Sequence, residues 1–313
     1  MEQLEIKPEE VAAKTETSAP VAIAFKFAPQ DVTRYKVTVD EERTLKFEGE
    51  LSKKEGFQDK RNQDVFEMTF TEQIQNINRK GNWVAKITIE KIKYFQVHKN
   101  EITIDFEGTR RKDQSHPLAK LIGKSYTVEI APTGKVTSIV DAVKARAVIK
   151  GMSSTKEAVS KLLYPDKIKD RHGTLVLPAI DKNQLQTGES WSGTKTFSFN
   201  IVGPQPHEKI YTLKEIKALD GHQVAVVEMS GVPSTELAEQ LHKEQVKEDF
   251  ADIFSNTATY SGQLEFDLTS GKVEKYSEKL ETEWYVIDPE ASVKIPSALK
   301  MGAVLIYKLE KVD

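Results

Sequence analysis

The sequence predicts a mainly β fold with minor α content: antiparallel curved sheets in two related halves, with covering helices. Three observations carry that expectation. Apolar and polar residues alternate along much of the chain, the period-two signature of strands with one buried face. A strand–turn–strand pattern occurs twice at corresponding places. A helical period surfaces in only a few stretches, all in the middle of the chain or beyond it.

Residues 1–20 read as a polar tether, because Val11, Ala12 and Ala13 sit among Glu, Lys, Thr and Ser and form no apolar core of an export signal. The first β-rich half covers 21–150. Val21, Ile23, Phe25 and Phe27 alternate with Ala22, Ala24 and Lys26, and Tyr35 to Val39 and Arg43 to Gly49 continue the strand character. The charged run from Lys53 to Asp64 reads as a loop or long hairpin tip, after which Val65 to Phe70 and Ile102 to Phe106 are strands. Ile139 to Ile149 has helical character and stops at Gly151. The second β-rich half covers 151–313, with helices near 154–163 and 234–254. Ser154 and Thr155 offer a cap to the first, whose stripe is Ala158, Val159, Leu162 and Leu163 and which Pro165 ends. In the second, Leu237, Leu241, Phe250, Ile253 and Phe254 fall mainly on one face. Strands return from Ala258, with Trp284 to Ile287 and Val304 to Tyr307 as the last two.

The repeat is built on turns. Thr71 to Ile87 and Tyr211 to Val227 both read strand, turn, strand. Placing Gly81 over Gly221 matches Val84 with Val224, Ala85 with Ala225 and Ile87 with Val227. Each is followed by another hairpin, Tyr126 to Val136 around Gly134 and Leu264 to Val273 around Gly271. Glycine suits such turns because it adopts positive φ without a Cβ clash.

Composition removes several function classes. The 313 residues carry 45 Lys and Arg against 48 Asp and Glu, a net charge of −3, with both signs interleaved. A nucleic-acid surface needs a local basic excess, so no nucleic-acid partner is expected. Arg110, Arg111 and Lys112 read as a solvated loop. With no cysteine, disulfides, thiolate catalysis and Cys-based zinc sites are excluded. No apolar run reaches membrane-spanning length. A lipid anchor on a longer precursor stays open.

Leu177-Pro178, Gly188-Glu189-Ser190-Trp191, Tyr211-Thr212-Leu213, Ser261-Gly262, Asp267 and Gly271 resemble the marks of an uncharacterised family of bacterial exported, often lipid-anchored, β-rich proteins. The resemblance covers roughly residues 125–285. It implies a β-rich fold and export to the periplasm or cell envelope, and it supplies no catalytic residues.

No motif of established chemistry is complete. Gly123-Lys124-Ser125 imitates the end of a phosphate-binding loop, but Leu118 stands where that loop needs glycine and a strand pattern follows. None of His98, His116, His172, His207, His222 and His242 pairs with another at metal-ligand spacing, and they read as scattered surface residues. Asp40, Glu41 and Glu42, and likewise Glu278, Glu281 and Glu283, read as solvated strand faces. No catalytic residue, cofactor site or metal site is therefore expected.

The aromatic residues are the most suggestive set. Phe25, Phe27, Phe66, Phe70, Phe106, Phe197, Phe199 and Phe266 occupy alternating strand positions. On a curved sheet they could line an apolar concavity that takes a lipid-like ligand, or they could fill an ordinary core. The first expectation for function is a non-enzymatic envelope protein that binds a protein partner or acts as a scaffold. The alternatives are a carrier of an apolar small molecule and an enzyme with a dispersed site.

Overall fold

The computed structural model describes residues 19–149, 155–156, 159, 162–173, 175, 177, 184–199, 203–219, 221–234, 255–287 and 298–313. Its strands in chain order are β1 (Val21–Ala22), β2 (Val32–Glu48), β3 (Lys60–Ile77), β4 (Trp83–His98), β5 (Glu101–Glu107), β6 (Ser125–Ile130), β7 (Val136–Val140), β8 (Gln184–Leu185), β9 (Ser190–Phe199), β10 (Gly203–Leu219), β11 (His222–Pro233), β12 (Ser255–Asp267), β13 (Lys272–Ile287) and β14 (Ala298–Lys311). Helices α1 (Ala142–Ala147) and α2 (Pro165–His172) lie between β7 and β8. The fold is mainly β, antiparallel, with minor helix, as the alternation predicts.

Among the described residues, all strands but β1 and β8 join one antiparallel sheet of 12, ordered β7-β6-β4-β3-β2-β14-β13-β12-β11-β10-β9. The outer half of β4 pairs with β5 rather than β6. Two meanders, β2 to β7 and β9 to β13, thus follow one another in the same order, with β14 joining them at the seam. Their registers repeat as well. Ala85 faces Val128 and Ile87 faces Tyr126 in the first. In the second, Ala225 faces Phe266 and Val227 faces Leu264. All four turn glycines, Gly81, Gly221, Gly134 and Gly271, have positive φ.

One face of the sheet is buried. On β3 it carries Phe66, Met68, Phe70, Glu72 and Ile74, every second residue. On β4 the phase slips from Trp83, Ala85, Ile87 and Ile89 to Ile92 and Tyr94. A bulge explains the slip: Thr69 faces Lys91 and Phe70 faces Ile89, leaving Glu90 as the extra residue. Glu90 turns outward to Arg34, at 2.7 Å, and to Thr71.

The sheet curls around its own chain. The ring of Phe25 lies 5.8 Å from both Trp83 on β4 and Phe266 on β12, so those two rings are no more than about 12 Å apart. In a flat sheet their strands, five positions apart, would be separated by roughly 24 Å. Residues 23–31 form a strap across this hollow. The Lys26 amide donates to the Gly271 carbonyl at 3.2 Å, and the Gln30 amide to the Ile74 carbonyl at 2.7 Å. At its outer end β1 pairs with β8. Beside the strap sits α2, started by Pro165 after extended Tyr164 and stopped at Gly173. Its Ile168 and Arg171 are buried.

The helical stretches begin later than their sequence period predicts or fall largely outside the described residues. Ile139 and Val140 belong to β7, where Ile139 faces Val128. Asp141 then takes a left-handed φ of 64°, so the helix starts only at Ala142. Between 154 and 163, Thr155, Lys156, Val159, Leu162 and Leu163 are helical, and the others there lie outside the described residues. The helix expected over 234–254, apart from Ser234, and the tether over 1–18 also lie outside them.

The two hairpin glycines of the second meander should tolerate change differently. Gly221 has open space around it, so Gly221→Ala should cost only the left-handed strain, about 1 kcal/mol. A Cβ on Gly271 would collide with the Lys26 backbone, so Gly271→Ala should cost about 2–3 kcal/mol and loosen the strap. Urea unfolding of the two variants side by side checks this; equal losses would mean the strap does not bear on the turn.

Candidate functional site

The strap, α2 and the seam strands leave a cavity of about 60 Å³. Phe25 and Phe27 come from the strap and Phe70 from β3. Across from them stand Tyr276 on β13 and Tyr307 on β14. Tyr35 on β2 also faces it, its ring 5.9 Å from that of Phe70. These six rings and the aliphatic Ile130, Leu175, Val273 and Leu309 make the walls, and Glu72, Arg171, His172 and the tyrosine hydroxyls interrupt them.

Most of these polar groups are committed. Arg171 donates to the Leu162 carbonyl at 2.6 Å and to the Tyr126 hydroxyl at 3.5 Å, and its guanidinium lies 5.1 Å from the Phe66 ring. The Tyr126 hydroxyl is also 2.8 Å from Nε2 of His172. Tyr307 donates to the Arg171 carbonyl at 2.6 Å, which fixes α2 to β14. Burial, reinforced by the charge of Arg171, pulls His172 down to about 3, so its imidazole is neutral. Glu72 differs. Among the described residues no hydrogen bond or ion pair reaches its carboxyl, and burial lifts it from its ordinary 4.5 to about 7 against the pull of Lys272.

A second polar cluster lies deeper in the β9–β13 half. Glu278 accepts from Lys209 at 2.9 Å, Tyr260 at 2.7 Å and Tyr276 at 3.0 Å, and through its other oxygen from Lys195 at 2.8 Å. Lys209 is fully buried and also donates to the Tyr276 hydroxyl at 2.7 Å. Burial raises the Glu278 carboxyl, but Lys195 and Lys209 outweigh it and hold the group well below the usual carboxylate range. Burial pushes Lys209 down, with Glu278 opposing. The carboxylate that alternation assigned to a solvated face is thus on the inner face, while Glu281 and Glu283 are on the other. His172 and His207 are likewise buried rather than at the surface.

The eight phenylalanines separate. Phe25, Phe27 and Phe70 line the cavity. Phe66 lies beneath Arg171 and Phe266 behind Phe25, one layer away. Phe197 packs against His207 at 5.4 Å on the far side of the second meander. Phe106, on β5, packs against His116 at 4.8 Å. Phe199 ends β9, and its side chain lies outside the described residues. Pattern reasoning missed Glu72, Lys209 and Glu278. A signal was present: each is a charged residue in the inward phase of its strand, Glu72 between Phe70 and Ile74, Lys209 next to Tyr211, and Glu278 between Tyr276 and Leu280.

Other constellations lack reactive geometry. Asp267 accepts from Ser270 at 2.7 Å and lies 3.3 Å from His222. The hydroxyl and the imidazole both turn to the carboxylate, so no hydroxyl is set against an imidazole base, and the group caps the β12–β13 turn. Gly123-Lys124-Ser125 leads into β6, not a helix. Among the described residues, no three His, Asp or Glu side chains converge to hold a metal, and no helix is long and apolar enough to cross a membrane.

Residues 80–273 match a family of unknown function, DUF6263, and the chain belongs to that family. No curated protein matches. Among solved structures, one of lipovitellin concerned with lipid–protein interactions is similar at a TM-score of 0.40 and 11% identity. The match covers 92% of this chain and 26% of that one, so this chain spans about a quarter of its length.

Two electrostatic predictions follow from these clusters. Glu278→Gln leaves two lysines without their counter-charge inside the sheet and should cost about 3–5 kcal/mol. Lys209→Met should cost less, because Lys195 still pairs with Glu278. Chemical denaturation of both at one pH tests the order, and the reverse order would contradict the pairing. For Glu72 the sign runs the other way. Between pH ~4.5 and ~7 the unfolded chain has released this proton and the folded chain has not, so stability falls as pH rises through that window and levels off above it. The full effect is about 3 kcal/mol. Glu72→Gln should match the parent at pH ~4.5 and exceed it by that amount at pH ~8. Urea midpoints at the two pH values decide; no gain at the higher one would mean the carboxyl is solvated.

Proposed function

We propose that this protein is a carrier for an apolar or amphiphilic small molecule, taken up on the inner face of its curled sheet. The observation that carries the reading is the cavity at the seam, whose apolar and aromatic walls are closed by a strap that is not part of the sheet and is tied to it at Lys26 and at Gln30 and Asp31, on either side of Phe27. A ligand pocket of ordinary size is about 300–1,000 Å³, so the present cavity accepts one end of a molecule. The rest of an apolar chain takes the place of Phe25 and Phe27, which are only partly buried. Strap displacement exchanges one apolar contact for another, and the sheet itself need not open.

The resemblance read from the sequence supports the cell envelope as the setting, and recovery of the native protein only from a cytoplasmic fraction would remove that part of the proposal. A scaffold role draws on a different observation. Among the described residues β9 pairs with β10 alone and β7 with β6 alone, which leaves a strand edge at either end of the sheet for a partner. The two readings part in one experiment, native mass spectrometry of the protein isolated from its source against its denatured mass. A small excess that disappears on denaturation, and is recovered in an organic extract, is the expected result. A second protein chain in the intact mass would favour the scaffold. A bare protein that also fails to bind a fluorescent long-chain probe would overturn the carrier.

A further inference from the structure

Aromatic walls alone would suit any apolar ligand, but Glu72 narrows the chemistry. It is 8% exposed, it lines the cavity, and no partner among the described residues reaches its carboxyl. Lys272, whose charge it feels, lies 3.7 Å from Asp31. We infer that this end of the cavity binds the organic ammonium head of an amphiphile, with the Glu72 carboxylate as counter-ion and Tyr35, Phe70, Tyr276 and Tyr307 as its walls. The inference rests on the carrier reading and names the ligand's polar end.

The internal repeat shows that the fold does not need a carboxyl there. Glu72 faces Ile87 on β4, and the residue facing the equivalent Val227 on β11 is Leu213, which is fully buried. A leucine fills this place in one meander, and in the other an ionisable group is kept at a cost to stability. Such a group, set among aromatic faces, matches a cation. Ring faces carry the negative end of the aromatic quadrupole and attract ammonium groups, most strongly when water is excluded. An anion would meet both the ring faces and the carboxylate. Among the described residues Arg171 brings a guanidinium to the cavity; its N–H groups are directed to Leu162 and Tyr126 and its plane lies against the Phe66 ring, so its donors are turned away from a ligand beside Glu72. The volume of about 60 Å³ holds roughly four waters or one small quaternary ammonium group.

The ionisable groups around the site come from several elements: Tyr35 on β2, Tyr126 on β6, Asp31 on the strap, Arg171 and His172 on α2, Lys272, Glu274 and Tyr276 on β13, and Tyr307 on β14. Burial keeps His172 neutral and lifts Tyr35 and Tyr276 further above neutrality, which leaves Glu72 as the group placed near pH 7. Cation binding should therefore weaken as pH is lowered from 8 to 6.

The test is calorimetric titration of the full chain with decyltrimethylammonium, decyl maltoside and decyl sulfate below their micelle concentrations, and with tetramethylammonium alone. Parent, Glu72→Gln and Glu72→Leu proteins are compared, with folding checked by urea midpoint. We expect decyltrimethylammonium to bind the parent at least about tenfold more tightly than the other two decyl compounds. Both variants should lose that preference and its pH dependence while still binding decyl maltoside. Equal binding of all three decyl compounds would overturn the ammonium site and leave the carrier standing. Failure of every decyl compound would overturn both. A preference that survives Glu72→Gln would place the cation elsewhere and overturn the site. Tetramethylammonium binding as tightly as its decyl analogue would overturn the head-group assignment in favour of a free cation.

Discussion

A sheet with 12 antiparallel strands and one apolar face has to hide that face, and the rest of the structure follows from how it does so. The described helices are too short to cover such a width: α2, at eight residues, spans about 12 Å. The sheet therefore bends until its two meanders face one another, and the hollow is filled by chain from outside the sheet. Ile23 and Phe25 of the strap, Ile168 of α2, and Leu175 and Leu177 supply that filling. The turn glycines Gly134 and Gly271 give the filler its seat. A Cβ on Gly134 would come within 2.6 Å of the Leu175 carbonyl, just as one on Gly271 would strike Lys26. Their counterparts Gly81 and Gly221 meet nothing, so in them glycine serves the turn alone.

A hollow closed by the chain's own segments is also where buried charge becomes informative. The Lys209–Glu278 cluster is satisfied from four strands, β9, β10, β12 and β13, and it can form only when those strands are in their observed register. Such a network contributes little net stability and penalises a register slip heavily, since a slip strands three charges in an apolar interior. Glu72 does the opposite. Among the described residues its carboxyl makes no bond that a slip would break, and burial without a partner favours its neutral form. Cost without a structural return is the pattern found where a site is maintained for a ligand.

How much of this was legible depends on how local the signal is. The β class, the turns at Gly81, Gly134, Gly221 and Gly271, and the outer hairpins are written in a few consecutive residues, and period-two alternation read them without help. The inward phase was also readable, which is why Phe25, Phe27 and Phe70 appear among the residues singled out for an apolar lining. Phe106 and Phe197 share the same alternation yet pack elsewhere, because alternation gives the face and not the position along a curled sheet. Tyr276 and Tyr307 were not singled out because only the β2–β14 pairing brings the two chain ends to one seam. The helix at Ile139 was mistaken for a related reason: Ile139 and Val140 fit either period, and their pairing with β6 decided it.

The two meanders share register and turn geometry but differ in what they place at the seam. Where the second has Leu213, the first has Glu72. Where the second has Tyr211 opposite Met229, the first has Phe70 opposite Ile89. In a repeat of this kind the common features report what the sheet requires, and the differences report what it tolerates. Two residues before Phe70 the first has Met68 where the second has the buried Lys209. Each meander thus places a charged residue where the other is apolar, and the two differ in its use: Lys209 is tied into the ion network that holds register in the β9–β13 meander, whereas Glu72 of the β2–β7 meander faces the cavity.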